Sequence, residues 1–387
     1  MKVQLTSEQE AIREGVAAVC SRFGDDYWLR KDREKKFPFE FVQAMVDAGW
    51  TGATLPVEYG GAGLGMREAA LILYEIKRTG GAAAATAVHV NIFGPHPVVR
   101  FGSEELKRRT LPRLIRGEDR TCFAVTEPDA GTSTTDIKTF ARREGDRYIV
   151  NGRKVWISTA QVANKILLVT RTAPKSEGKK PTDGITLFYT DLDRSRIDVR
   201  EIEKMGRNAV DSNELFIDNL EVPVEDRIGE EGKGFKYLLH GLNAERIVVA
   251  AGLLGGTRSV LDRAVKYAKE RVVFGRPIGM NQAVQHPLAE IWARLTAAEL
   301  TVWAAATLYD QDMPCAAEVN AGKFLAGELF FDACTRAVRV HGGYGQAKEY
   351  HVERYFRESV SPLVGPVSQE LALCHIAEQM LGLPKSY

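Results

Sequence analysis

The chain has 387 residues, a formal net charge of +1, 44% hydrophobic residues and 27% charged residues. That length and composition suit two or three packed domains, and the near-neutral balance argues against a nucleic-acid binder, which needs a basic excess. No apolar run approaches the length of a membrane span, and the polar opening run MKVQLTSEQE lacks the apolar stretch of a secretory signal.

Residues 1–118 read as a helical domain. A first helix over residues 6–20 opens on Thr6 or Ser7 as cap, with Glu8 and Glu10 suiting the positive end of its dipole. Apolar residues spaced by three and four predict helices over residues 39–48 and 66–77, and Ser103 caps another that runs to residue 115. Gly49, the Tyr59-Gly-Gly-Ala-Gly63 loop and Gly80-Gly81 punctuate them. Residues 119–233 read as a compact, barrel-like β domain. Asn151-Gly152, lying between Tyr148-Ile-Val150 and Lys154-Val-Trp-Ile157, predicts a hairpin turn, and further strands are expected over residues 166–170, 184–189 and 215–217. Residues 234–387 read as a bundle of four long helices, with the clearest patterns over residues 238–271, 288–308 and 316–341. The fold class is therefore α+β, in the order α–β–α.

The five cysteines are odd in number and scattered, with no CxxC. They are expected to be reduced, mostly buried thiols of a cytosolic protein, and no Cys/His cluster has the spacing of a metal site. Neither Gly60-Gly-Ala-Gly63 nor Gly342-Gly-Tyr-Gly345 matches the dinucleotide fingerprint of a strand followed by GxGxxG.

The run Phe123-Ala-Val-Thr-Glu-Pro-Asp-Ala-Gly-Thr132, followed by Asn151-Gly-Arg-Lys-Val-Trp-Ile-Ser158, closely resembles the flavin-binding region of acyl-CoA dehydrogenases. The resemblance extends over essentially the whole chain. It includes Pro56-Val-Glu-Tyr-Gly-Gly-Ala-Gly-Leu64, Glu270-Arg-Val-Val-Phe-Gly-Arg-Pro-Ile278 with Gln282, and the Gly342 turn through Glu349 and Arg354. It implies that FAD is held by Phe123, Val125, Thr126, Gly131, Thr132, Trp156 and Ser158. It also implies that Arg271, Phe274, Gln282, Gly342 and Gly343 reach FAD bound largely by a neighbouring subunit of a homotetramer, a dimer of dimers. Arg339 stands where the family usually has Gln and could add a phosphate contact. An acyl-CoA substrate and an electron-transfer flavoprotein as electron acceptor are implied as partners.

The family's usual catalytic glutamate lies in a Tyr-Glu-Gly-Thr run. Counting from Arg354, that run falls on Gly365-Pro-Val-Ser368, so no carboxylate stands there. Ser368 takes the run's last position and is expected near FAD. Leu242-Asn-Ala-Glu-Arg246 instead resembles the subgroup, including isovaleryl-CoA and long-chain acyl-CoA dehydrogenases, that carries the glutamate on the helix after the β domain. The resemblance makes Glu245 the expected base and Arg246, Gly365 and Pro366 substrate neighbours. Proline has no N–H, so either the register shifts and Gly365 donates to the thioester oxygen, which is the favoured expectation, or the substrate is polarised with one donor fewer. Glycine and proline in place of two large residues imply room for branched or bulky acyl groups. Two other readings stay open: a dehydrogenase of acyl groups bound to a carrier protein, and a non-catalytic subunit of a hetero-oligomer.

Overall fold

A computed structural model describes residues 5–386; residues 1–4, where the polar opening run and the first domain begin, and residue 387 lie outside the described residues. The first region holds α1 (Ser7–Cys20), α2 (Asp25–Glu34), α3 (Phe39–Asp47), α4 (Met66–Arg78), α5 (Thr86–Phe93), α6 (His96–Phe101) and α7 (Glu104–Ile115). Thr6 is the cap of α1: its hydroxyl accepts from the Gln9 N–H while the Gln9 side chain accepts from the Thr6 N–H, a reciprocal capping box. Ser103 caps α7 in the same position, accepting from the Leu106 N–H at 3.1 Å. Helices α2, α5 and α6 are absent from the sequence reading. Residues 87–93 of α5 are buried on every side, so no polar face supplies a helical period.

The middle region is a mixed sheet of β1 (Thr121–Ala124), β2 (Phe140–Glu144), β3 (Arg147–Ser158), β4 (Lys165–Arg171), β5 (Ile185–Asp191), β6 (Ile197–Glu201), β7 (Ser212–Pro223) and β8 (Arg227–Ile228). The hydrogen-bonded order is β6-β7-β3-β2-β4-β5-β8, with β1 joined to β4. β5 touches β7 although three strands lie between them in that order, so the sheet curls into a barrel-like shell. Its inside is filled by Ala124, Tyr148, Val150, Ile166, Leu168, Phe188 and Leu215 among others.

The expected Asn151-Gly152 hairpin is not formed. Both residues lie inside the single long strand β3, at a register shift against β7. The glycine is needed there for close approach rather than for a turn, since a Cβ on Gly152 would lie 2.4 Å from the Thr139 hydroxyl. It sits at an irregularity of the kind that re-aims a strand.

The last region opens with α8 (Gly234–Glu270), followed by the small hairpin β9 (Val272–Val273) and β10 (Arg276–Pro277). Then come α9 (Gln282–Asp310), α10 (Ala316–His341), α11 (Val352–Ser359), α12 (Ser361–Val364) and α13 (Gln369–Gln379). α8, α9 and α10 pack against one another and α13 against α10, giving the four-helix bundle. α4 also lies along α8, so the first and last regions share one apolar core. Asp310, at the end of α9, fastens this join by accepting from the Met66 and Arg67 N–H groups at the start of α4. All five cysteines are free; four are buried and Cys374 is partly exposed. Among the described residues no helix is long and apolar enough to cross a membrane.

Contact between α4 and α8 depends on Gly255, where a Cβ would lie 2.0 Å from the Tyr74 carbonyl oxygen. Gly255→Ala should force the two backbones apart, and overpacking of this kind costs about 1–3 kcal/mol. A lowered melting temperature is expected. An unchanged one would show that the helices separate without loss.

Candidate active site

Three groups of side chains make up the candidate site. The first surrounds the end of β1. Lys154 is fully buried on β3 and donates to the Val125 carbonyl and to a Glu127 carboxylate oxygen, both at 2.9 Å. Glu127 also accepts from the Lys138 N–H at 2.6 Å and the Thr139 N–H at 3.0 Å, and the Val155 N–H donates to the Thr126 carbonyl at 2.9 Å. These bonds hold the segment from Val125 to Glu127 by its carbonyl side. Neither the Val125 nor the Thr126 N–H has a protein acceptor among the described residues. Burial pushes the Lys154 ammonium down to about 8, against the pull of Glu127. Burial also raises Glu127, but Lys154 and the N–H donors outweigh it and hold the carboxyl below the usual range.

Trp156 sits in a left-handed conformation (φ 63°) at the second register shift of β3, 58% exposed, with Ser158 partly buried two residues on. Gly131 and Thr132 lie exposed in the loop after β1. Free N–H groups, hydroxyls at Thr126, Thr132 and Ser158, and one exposed indole form a donor set that fits an acceptor-rich ring system and its phosphates. Sequence reasoning missed Glu127 and Lys154 as supports of this segment. No local signal marked them, since Glu127 lies among Thr126, Pro128 and Asp129 and Lys154 follows Arg153.

The second group lies where α8 passes into α9. Arg271 ends α8, and its guanidinium stands 5.7 Å from the ring centroid of Tyr344, which brings it to the Gly342-Gly343 turn after α10. A Cβ on either glycine would meet nothing within 4 Å. Phe274, at the tip of the β9–β10 hairpin, is 100% exposed; Gln282 begins α9 and Arg339 lies in the last turn of α10, both exposed. An apolar ring standing wholly in solvent suits an intersubunit contact.

The third group contains Glu245. Leu238 and Leu242 of α8 share an apolar cluster with Phe123 and Val125. Both leucines precede Glu245 at helical spacing, so Glu245 stands on the face of α8 that meets the end of β1. Its side chain is buried and has no hydrogen-bond partner among the described residues. Burial pushes the carboxyl up to about 8, with Arg246 pulling the other way. The Arg246 guanidinium donates to the Asn243 side chain at 3.1 Å.

The Gly365–Ser368 segment is clamped from below by Lys323 of α10. Its ammonium donates to the Pro362 carbonyl at 2.6 Å and to the Gln369 side chain at 2.8 Å. Burial, and then the Arg246 charge, push Lys323 down to about 8, which places Arg246 beside the clamp. Sequence reasoning missed Lys323 and Gln369. Ser368 caps α13 by accepting from the Leu371 N–H, leaving its own O–H able to donate. Pro366 is exposed and Gly365 partly so, and a Cβ on Gly365 would meet open space. The expected role of the Gly365 N–H is not supported: it donates to the Ser361 carbonyl at 3.1 Å and closes α12 instead.

Three family models match in series: the acyl-CoA dehydrogenase N-terminal domain over residues 6–118, the middle domain over 122–220 and the C-terminal domain over 232–381. The chain belongs to the acyl-CoA dehydrogenase family. Members of this family are flavin-dependent oxidoreductases that bind FAD. The chain is 34% identical to acyl-CoA dehydrogenase FadE12 of Mycobacterium tuberculosis, over 99% of this chain and 98% of that one. It is 37% identical to a 3-(aryl)acrylate reductase of Clostridium sporogenes, over 84% of this chain and 86% of that one. Among solved structures, a glutaryl-coenzyme A dehydrogenase in complex with glutaryl-CoA superposes with a TM-score of 0.94 at 31% identity, covering 100% of this chain and 98% of that one. As in other acyl-CoA dehydrogenases, the three domains follow one another in the order α–β–α.

Lys154→Met would remove one member of a fully buried ion pair. Leaving the other charge unpaired typically costs about 3–5 kcal/mol, and here it also frees the carbonyl of Val125. We expect a lower melting temperature together with FAD lost on gel filtration. A variant that melts normally and stays yellow would refute the supporting role.

Proposed function

We propose that this acyl-CoA dehydrogenase removes the α and β hydrogens of an acyl-CoA thioester to give the trans-2-enoyl-CoA, with Glu245 as the base. The observation that carries this reading is the burial of the Glu245 carboxyl, without a hydrogen-bond partner, on the face of α8 that meets Phe123 and Val125. FAD, when bound, supplies the acceptor for the β hydride. Val125, Thr126, Thr132, Trp156 and Ser158 would hold its ring and phosphates from one subunit. Arg271, Phe274 and Gln282, with the Gly342-Gly343 turn, would hold it from the next. Arg271 suits a pyrophosphate, because its fork of donors can take two oxygens at once.

Glu245 takes the α proton. Removal from water raises its basicity, and Arg246 keeps the ionised form within reach of physiological pH. The open space at Gly365 leaves room for bulk near the reacting carbons. The rest of the reading is a homotetramer in the cytoplasm that delivers its electrons to an electron-transfer flavoprotein.

A second reading is reduction of an α,β-unsaturated thioester, with Glu245 delivering the proton to the α carbon. A carboxyl with a pKa pushed up to about 8 is mostly protonated at neutral pH, the state this direction requires. Assaying the FAD-loaded protein with saturated and unsaturated thioesters, using an artificial acceptor in one case and an artificial donor in the other, separates the two directions.

Glu245→Gln should keep FAD and lower turnover by about two to four orders of magnitude, as loss of a general base does. For the oxidative reaction, kcat/KM should rise with pH to a plateau above about 8, because the base works only when deprotonated. For the reductive reaction it should fall through the same pH. Near-normal activity of the glutamine variant would remove Glu245 from the mechanism.

Arg271→Ala should weaken FAD binding while leaving the melting temperature of the FAD-free protein unchanged, since the exposed guanidinium is not part of the core. Analytical ultracentrifugation should show FAD retained only in the oligomer. A monomer holding FAD tightly would contradict the shared site.

A further inference from the structure

Two turns of α8 beyond Glu245, the side chain of Lys77 crosses Gly252. A Cβ on Gly252 would meet the Lys77 Cδ and Cε, both at 3.2 Å. Residues two turns apart fall within about 20° of one another around the axis and about 10 Å apart along it. Lys77 therefore occupies the same face of α8 as Glu245, further along.

A second path leads to the same place from the flavin side. Phe123 meets Phe93 edge-on with centroids 5.3 Å apart, and Phe93 lies against His89 at 4.5 Å. His89 is buried, and its Nε2 has no hydrogen-bond partner. One turn before it on α5, the Thr86 hydroxyl accepts from Arg207 at 3.0 Å. Arg207 also donates to the Ser361 hydroxyl at 3.2 Å, at the start of the short helix that leads to Gly365. Thus Lys77, His89 and Arg207 converge at the end of a path that begins between Glu245 and the end of β1.

Their electrostatics agree with this placement. Burial pushes His89 down to about 3, with the Lys77 and Arg207 charges adding to the effect, so the ring is neutral at physiological pH. Burial, then Arg207, push Lys77 down to about 8, while Glu358 opposes them. Burial lowers Arg207 as well, against Glu358 and Asp211. Glu358 is shared, standing 3.8 Å from Arg354, and Asp211 accepts from Gln161 and Asn213. Lys77 makes no hydrogen bond or ion pair of its own among the described residues, and Arg207 bonds only to hydroxyls there. Both side chains are enclosed yet keep some accessible surface, as groups lining a cleft do. Two enclosed cations and one unpartnered imidazole nitrogen form a donor set whose acceptors among the described residues are two neutral hydroxyls, both bonded to Arg207. Leaving charges so poorly paired is costly unless a ligand supplies the counter-charge.

We propose that Lys77, Arg207 and His89 form an anion site further along the face of α8 that carries Glu245, and that the acyl group bound here carries a carboxylate at its distal end. The inference rests on the acyl-CoA reading above and deepens it. A carboxylate would pair with the ammonium and with the guanidinium, and His89 would add a neutral donor. An uncharged alkyl end would leave the same groups desolvated and unmatched. Discrimination would then come from the unpaired charges as much as from the new bonds.

The test uses the FAD-loaded, full-length protein and two series of acyl-CoAs matched in chain length, one ending in a carboxylate and one in a methyl group. Affinity is read under anaerobic conditions from the change in flavin absorbance on binding, and turnover is read separately with an artificial acceptor. At the best-fitting length the carboxylated ligand should bind about tenfold or more tightly than its methyl counterpart, the scale of one charge-assisted hydrogen bond. Lys77→Met should invert that preference, weakening the carboxylated ligand and tightening the methyl one. Arg207→Gln should weaken the carboxylated ligand in the same direction, and Lys77→Arg should restore most of the preference. Binding of the methyl series as tightly as the carboxylated series by the unaltered protein, at every length, overturns the proposal without any variant being needed. Lys77-dependent binding of carboxylated ligands with no turnover in either direction would uphold the anion site and overturn the redox reading. Turnover confined to the methyl series would do the reverse.

Discussion

A carboxyl group held out of water on α8, with only one neighbouring charge to favour its ionised form, is the constraint around which the site is arranged. Glu245 can be buried because α8 is apolar on both sides of it, through Leu238 and Leu242 toward the sheet and through Ala244 and Ile247 toward the core. α8 keeps that orientation because α4 lies against it at Gly255 and because the sheet end packs under its first turns. Folding favours the protonated acid, since the pKa rises from 4.5 to about 8. The associated stability is complete below the unfolded value and is lost as pH rises through the folded one. The fold thus opposes the ionised form that proton abstraction needs.

The other buried charges are handled differently. Lys154 and Glu127 form a unit in which the ammonium has two acceptors and the carboxylate three donors, and its product is a fixed backbone rather than a reactive group. Lys323 is likewise spent on two oxygens that bracket the Gly365–Ser368 segment. Glu245 and Lys77 lack such partners, and they stand on one face of one helix. The contrast between matched and unmatched buried charge separates the scaffold of the site from the groups left for a ligand.

Much of this was legible in the sequence where a pattern is local. The caps at Thr6 and Ser103, and the long helices rich in Ala and Leu, follow from spacing within a few turns. Glu245 was legible only through the pairing of a lost carboxylate near Pro366 with a gained one on α8, since an isolated helical glutamate carries no signal. Asn151-Gly152 misled because the dipeptide marks a turn by its usual chemistry, whereas here the missing Cβ makes room for Thr139 across the sheet. Nothing in the neighbouring sequence marks Lys77, Lys154 and Lys323 as enclosed lysines. Their burial depends on partners or walls far away in the chain, which no local window contains. α5 escaped notice for the opposite reason, since a helix buried all round has no face to alternate.

The unpartnered burial of Glu245 also bears on how such a chain drifts. Selection for stability alone would replace this residue with glutamine, methionine or leucine, because each fills the space without the cost of a desolvated acid. Matched units such as Lys154–Glu127 would resist change in either member, since losing one strands the other. In a lineage released from selection for turnover, the carboxylate on α8 is therefore the group that disappears early, while the ion pair behind the flavin segment persists as a fossil of the fold.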